Sequence, residues 1–388
     1  MKNPVLPENI VQIINELNKN GFEAFAVGGC VRDMLTGKLP NDYDITTSAT
    51  PEQVKQLFDK TADTGIKHGT VTVIVEKTPI EVTTFRTENS YTDSRHPDNV
   101  EFVTDIKYDL SRRDFTVNAM AYNNIDGLVD LFGGKADIEN RILRAVGNPE
   151  KRFCEDSLRI LRLYRFASVL DFSIEKNTLD AAKKYADTLK NVSCERIFSE
   201  LTKASCGVNT LALRLLTESG TLKFLGITNC KNAEKIGVLK NKKELRFFGF
   251  LKTTDSEIFD VLKKLKAPNS LINYCSKLSY LTSQGIPKNK TEIKRLLKNT
   301  SPEEFFDYLE YIKIFNSAET NGIYALTNDI ISNNEPYKKE HLSINGDDLK
   351  KLGFKGKEIA FALERAVDFV IENPDRNKTE ILIDFLSN

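Results

Sequence analysis

Two aspartates one residue apart, Asp42 and Asp44 in NDYDI, follow a double glycine, Gly28-Gly29, and Arg32 within eighteen residues. Positions i and i+2 of a strand face the same side, so these two carboxylates can share metal ions. Two magnesium ions held by carboxylates can clamp the attacking and leaving oxygens of an in-line phosphoryl transfer. Oxygen ligands favour magnesium among the common ions. A double glycine lets the backbone come close to a triphosphate, with amide groups aimed at it. Such a site needs a third carboxylate from a neighbouring strand, and Glu81 in IEVTTF is the candidate. A lone Asp-x-Asp or a lone Gly-Gly is most often a surface turn. GG, then VRD, then DYDI on a β-branched run is far more specific.

Two further groups carry chemistry. In RRDFTVNAM, the adjacent arginines Arg112 and Arg113, followed by Asp114 and Asn118, can bind phosphates and sugar hydroxyls. In EDSLRILRLYRF, read as helical, Asp156 and Arg159 sit three apart on one face, with Glu155 before them and Arg162 extending the stripe. The ordinary fate of such a pair is an intrahelical salt bridge. A carboxylate beside an arginine also matches two base edges. Cytosine offers N4 amino hydrogens next to the N3 acceptor, and adenine offers N6 hydrogens next to N1. Uracil and guanine present the reverse order. An unpaired buried polar group costs roughly 1–3 kcal/mol, so the pair can admit C and A and reject U and G without a template strand.

These residues need rigid supports, and the first third of the chain alternates short β-rich and helical runs. The apolar spacing of Ile10, Ile13, Ile14 and Leu17 predicts a helix over Pro7 to Asn20. Phe22 to Val27 and Tyr43 to Thr47 read as strands, with a short helix at Arg32 to Leu35 between them. Ser48 to Phe58 reads as a helix opened by Pro51. Thr70 to Val75 and Ile80 to Phe85 read as strands joined by a turn. The polar segment Arg86 to Val100 reads as a loop beside an active site. Beyond Ile138 strands become scarce and helical patterns dominate, at Glu155 to Leu170, Thr178 to Leu189, Glu195 to Ala204, Leu211 to Ser219 and Lys357 to Asn373.

The bulk numbers narrow the class. Hydrophobic residues make up 40% and charged residues 28% of 388, as in soluble globular proteins. No run reaches the roughly 18 apolar residues of a membrane span, and no signal peptide is legible at Met1 to Gly21, so no membrane partner and a cytoplasmic setting are expected. Six scattered cysteines without a CxxC pair and three distant histidines argue against zinc and against a hydrolase triad. Net charge is zero, from 55 basic and 55 acidic residues. That counts only weakly against nucleic acid, because charges more than about 10 Å apart are screened at 0.1 M salt and a local basic stripe suffices.

The motifs GGCVRD, DYDI, TGIKHGTV, EVTTFR, RRDFTVNAMAY, DLFGG, EDSLRILRLYRF and SCERIFSEL together resemble the class II tRNA nucleotidyltransferases, the bacterial and eukaryotic CCA-adding enzymes, and the related bacterial poly(A) polymerases. The resemblance is dense from Phe22 to Leu201 and returns at LSINGDDLKKLGFKGKEI. It implies an α+β fold: a polymerase β-type nucleotidyltransferase head over residues 1–138, then an all-α neck (139–205), body (206–275) and tail (276–388). It implies that Asp42 and Asp44 hold magnesium, that Gly28, Gly29, Arg32, Arg112, Asp114 and Asn118 bind the nucleotide, and that Asp156 and Arg159 act as a protein template with Glu155 and Arg162 in support. The implied reaction is template-independent addition of CCA to tRNA from CTP and ATP.

Relatives with other products resemble this chain in part. Poly(A) polymerases of the group carry an arginine-rich GRRFR-type element where this chain has TGIKHGTVTV, and CC-only enzymes lack the loop present here at Arg86 to Val100. A-only enzymes keep both the loop and the template residues, and a non-catalytic RNA-binding protein is the alternative outside enzymes. Lys240 to Lys243 and Lys350 to Lys357 are candidate contacts to an RNA backbone.

Overall fold

A computed structural model describes residues 3–89 and 99–387. The middle of the expected loop therefore lies outside the described residues. The chain divides into two compact units, residues 1–237 with 250–266, and residues 238–249 with 267–388.

The first unit opens with helix α1 (Glu8–Lys19), strand β1 (Ala24–Val27), α2 (Gly29–Leu35), β2 (Asp44–Thr47) and α3 (Pro51–Leu57). Next come β3 (Thr61–Gly65), β4 (Thr70–Val75), β5 (Thr78–Thr84), β6 (Arg86–Asn89) and β7 (Asn99–Phe102). Helix α4 (Ile106–Ser111), β8 (Met120–Asn123), β9 (Gly127–Asp130) and α5 (Gly134–Glu139) complete the α/β part. Helices α6 (Pro149–Glu155), α7 (Leu158–Leu170), α8 (Lys176–Lys184) and α9 (Cys194–Ser205) follow.

Each element has a local cause. Helix α1 buries Ile10, Ile13, Ile14 and Leu17, the stripe its spacing requires. Helix α3 starts at Pro51, and Thr50 and Gln53 close a reciprocal capping box. Strand β1 is buried at every position, as a central strand covered on both faces must be.

Seven strands form one sheet in the order β3-β4-β5-β2-β1-β8-β9. β2 runs parallel to β5 and antiparallel to β1, so the sheet is mixed. The register sets Asp44 opposite Glu81 and Val27 opposite Asp44. Ile45, Val71, Val73 and Val82 are buried in its core. The expected α+β architecture is borne out.

Some boundaries differ from expectation. β2 begins at Asp44, so Asp42 precedes the strand. The segment read as a loop from Arg86 to Val100 has paired ends, because β6 and β7 form an antiparallel ribbon from Arg86↔Phe102 to Asn89↔Asn99. The helix read over Thr178 to Leu189 ends at Lys184 and passes into a 3₁₀ turn over Ala186–Asn191.

Among the described residues the second unit is helical, with helices at Asn269–Ser283, Lys290–Leu297, Pro302–Phe315, Asn321–Ser332, Lys357–Glu372 and Thr379–Ser387. Its core holds a buried carboxylate, Asp307, which accepts from Lys242 at 2.7 Å and Tyr274 at 2.7 Å and pairs with Lys240. Two of the lysines expected to meet an RNA backbone are thus held by an internal acid. Lys350 and Lys351 pair with Asp347 at 2.7 Å and Asp348 at 3.4 Å on the surface, where such pairs contribute little. Among the described residues no helix is long and apolar enough to cross a membrane.

Candidate active site

Asp42, Asp44 and Glu81 line one cavity of about 380 Å³ at the edge of β2 and β5. Parallel pairing of Asp44 with Glu81 is what brings a carboxylate from residue 81 to the aspartates. Burial pushes the Asp44 carboxyl above its ordinary value; Arg113 opposes this, while the negative charges of Asp42 and Glu81 add to it. The donors are all carboxylate oxygens, which suits a hard divalent cation. Among the described residues no group of three or more His, Cys, Asp or Glu side chains is gathered closely enough to hold a metal ion, so Asp42, Asp44 and Glu81 would have to draw together around one.

Asp44 also lines a second cavity of about 440 Å³ together with Gly28, Gly29, Arg32, Arg112, Asp114, Asn118, Asp156, Arg159 and Arg162. All of the residues expected to bind a nucleotide except Glu155 therefore border one space. Seven arginines and three aspartates line it, so the site is locally cationic in a chain of zero net charge.

The glycine turn works differently from the expectation. The Gly28 amide donates to the Met120 carbonyl at 3.0 Å, which leaves it unavailable to a triphosphate. Gly28 is favoured because its φ is +82°, and a Cβ there would also push aside the end of Arg113, 2.9 Å away at Nη1. The glycine lets a guanidinium lie directly over the backbone beside Asp44.

A chain of hydrogen bonds fixes the polar floor. Arg32 Nη1 donates to Asn118 Oδ1 at 2.6 Å, and Asn118 Nδ2 donates to Asp114 Oδ1 at 3.0 Å. Arg162 donates twice to Asp114 Oδ2, at 2.8 and 2.6 Å. Burial alone would raise the Asp114 carboxyl, but Arg162, Asn118 and Arg159 outweigh it and hold the group at about 2. Arg112 donates to the fully buried Asp109 at 3.0 and 2.7 Å, and Arg113 adds a third bond to it at 3.2 Å. Phe166 spaces three like charges, with Arg165, Arg162 and Arg32 at 4.0, 5.3 and 5.4 Å from its ring centre.

The segment EDSLRILRLYRF is not one helix. α6 ends at Glu155, Asp156 is extended at φ −138° and ψ 105°, and α7 starts at Leu158. The Asp156 carboxylate accepts the Leu158 amide at 3.0 Å, a turn that competes with helix continuation. The salt bridge expected between Asp156 and Arg159 does not form. Asp156 Oδ2 accepts from Arg196 of α9 at 2.9 Å. Arg159 donates to Glu155 at 2.8 Å and to the Arg112 carbonyl at 2.8 Å. Glu155 in turn accepts from Arg152 at 2.6 Å, and Arg152 donates to the Ser111 carbonyl at 2.8 Å.

Sequence reasoning took Arg113 together with Arg112 as a phosphate-binding pair but assigned no role to Arg152, Arg165 or Arg196. Arg165 and Arg196 lay inside quoted motifs, but only the fold shows that Arg196 reaches back forty residues to Asp156.

A mixed sheet with carboxylates on its central strands, opening on an arginine-lined pocket beside a glycine turn, defines a nucleotidyltransferase. Residues 24–144 match the family described as "Poly A polymerase head domain", and residues 171–226 match "Probable RNA and SrmB- binding site of polymerase A". The chain is 38% identical over 388 residues to the CCA-adding enzyme of Ligilactobacillus salivarius, covering 96% of this chain and 94% of that protein. It is 37% identical over 391 residues to the CCA-adding enzyme of Enterococcus faecalis, covering 96% and 94%. Its fold matches the crystal structure of Bacillus stearothermophilus CCA-adding enzyme in complex with CTP with a TM-score of 0.85, at 31% identity and covering 99% and 98% of the two chains. The chain belongs to the family of CCA-adding enzymes.

Proposed function

We propose that this chain adds CCA to the 3′ end of tRNA, using CTP and ATP without a template and releasing pyrophosphate. The observation that carries the reading is that Asp156 and Arg159 share one cationic pocket with the Gly28-Gly29 turn and with Asp44. A nucleotide in that pocket has its phosphates among the arginines and its base edge at Asp156 and Arg159. Asp156 accepts from the amino group of C or A and Arg159 donates to the ring nitrogen. U and G would set acceptor against acceptor and donor against donor, at roughly 1–3 kcal/mol for each unpaired group.

Asp42 and Asp44, with Glu81 as the third carboxylate, would hold magnesium, which when bound lowers the pKa of the attacking 3′-hydroxyl and neutralises the leaving pyrophosphate. The side chains do the positioning. Asp114 and Asn118 present sugar-binding groups, Arg32 and Arg112 face the phosphates, Arg162 supports the base-reading pair from Asp114, and no nucleophilic side chain is required. The tRNA would be held by shape and phosphate contacts on residues 139–388, divided as neck (139–205), body (206–275) and tail (276–388), in the cytoplasm.

The test is incorporation on tRNA transcripts ending at the discriminator base, in C and in CC. Each receives CTP, ATP, UTP or GTP, singly and mixed, with magnesium. Complete CCA on the shortest transcript with UTP and GTP rejected is the expected result. A alone on the CC-ending transcript would make this an A-adding enzyme, and long A tails a poly(A) polymerase.

A further inference from the structure

Asp156 and Arg159 can read a base only if they do not neutralise one another. Opposite charges three residues apart on a helix ordinarily pair. Here the two groups are held by separate outside partners. Arg196, on α9, binds Asp156 Oδ2 at 2.9 Å, and the Leu158 amide binds Oδ1 at 3.0 Å. Glu155, on α6, binds Arg159 at 2.8 Å and is itself anchored by Arg152 at 2.6 Å. Asp156 therefore faces the pocket with both oxygens oriented and with lone pairs left for an incoming amino group.

We propose that Arg196 is a specificity-determining positioning residue: it keeps Asp156 apart from Arg159 and so preserves the donor–acceptor order that distinguishes C and A from U and G. Arg196 acts through Asp156. This inference rests on the base-reading role proposed above. The helix break at Asp156 and Ser157 makes the arrangement work, because an extended residue at 156 turns its carboxylate toward α9. Without Arg196 the carboxylate is free to turn to Arg159. The pair then presents a closed ion pair to every base, and selection falls while the carboxylate cavity, which Arg196 does not line, is untouched.

The experiment measures kcat and KM for CTP and UTP on a transcript ending at the discriminator base, for the wild-type chain, Arg196→Met, Arg196→Lys and Asp156→Ala. Arg196→Met is expected to lower the CTP-to-UTP ratio of kcat/KM by on the order of ten- to a hundredfold, mostly through CTP. Asp156→Ala should lower it at least as far, and a double variant combining Arg196→Met with Asp156→Ala no further than Asp156→Ala alone, because the two act as one unit. Arg196→Lys keeps the charge but loses the planar fork, and should restore selection only in part. A merely structural residue would reduce turnover with all nucleotides alike and leave the ratio unchanged. An unchanged ratio in Arg196→Met, or in Arg196→Lys should the methionine variant not fold, overturns the proposal. A wild-type chain that shows no preference for CTP over UTP overturns instead the base-reading role on which it rests.

Discussion

Replacing Asp114 by Asn isolates the electrostatics of the pocket floor. The carboxyl lies at about 2 instead of 3.8 because Arg162, Asn118 and Arg159 favour the charged form despite burial. At about 1.4 kcal/mol for each pH unit, that difference corresponds to roughly 2 to 3 kcal/mol of stability at neutral pH. The folded value is depressed, so this contribution is complete above the ordinary carboxylate range. It is lost as pH falls from about 4 through about 2. Asparagine keeps the shape and an acceptor oxygen but never carries the charge. Amide hydrogen exchange of a peptide spanning 112–120 reads the local opening, with variant and wild type compared at the same pH. Exchange through opening of this region should be about seventyfold faster in Asp114→Asn at pH 7 and only about tenfold faster at pH 3, where roughly half of the contribution has gone. A difference below threefold at pH 7, or one that does not shrink with pH, would refute the reasoning that a charged Asp114 anchors the site.

Asp42→Ala should abolish nucleotide incorporation while tRNA affinity, measured by filter binding, is kept; near-normal turnover would sink the metal assignment. Gly28→Ala forces φ +82° on a residue with a Cβ that meets Arg113 at 2.9 Å. Strain of this kind is of order 1–3 kcal/mol, so a lower melting temperature and a raised KM for CTP are expected, and an unchanged KM would show that Arg113 does not face the nucleotide. Affinity for tRNA should fall steeply between 50 and 200 mM salt despite zero net charge, and a flat response would count against phosphate contacts.

Much of this was legible because local pattern and tertiary role agree. The spacing of Ile10, Ile13, Ile14 and Leu17 is a helix pattern that the fold buries, and the β-branched run after Asp44 is a strand. Pro51 marked a helix start that the capping box completes. The break between α6 and α7 was missed because LRILRLYRF carries helical periodicity and contains neither Gly nor Pro. The signal lay in Asp156-Ser157, residues that bond their own backbone and open helices, directly before the apolar run. Strand order was beyond reach: only the finished sheet sets Glu81 beside Asp44. The same holds for Arg196, whose partner lies on another helix. The ribbon at Arg86–Asn89 and Asn99–Phe102 escaped notice because β6 is polar throughout and the alternation of Val100 and Phe102 in β7 spans only four residues.

The arginine-lined pocket has a counterpart elsewhere on the molecule. Its seven arginines and three aspartates leave four positive charges, while the chain as a whole balances 55 bases against 55 acids. Everything outside the pocket therefore carries four net negative charges. A polyanion approaching at low salt is attracted locally at this opening, although the chain as a whole carries no net charge. Such a local concentration of positive charge steers a triphosphate toward the pocket without making the whole chain basic. It achieves by contrast between regions what a uniformly basic protein would forfeit to indiscriminate binding.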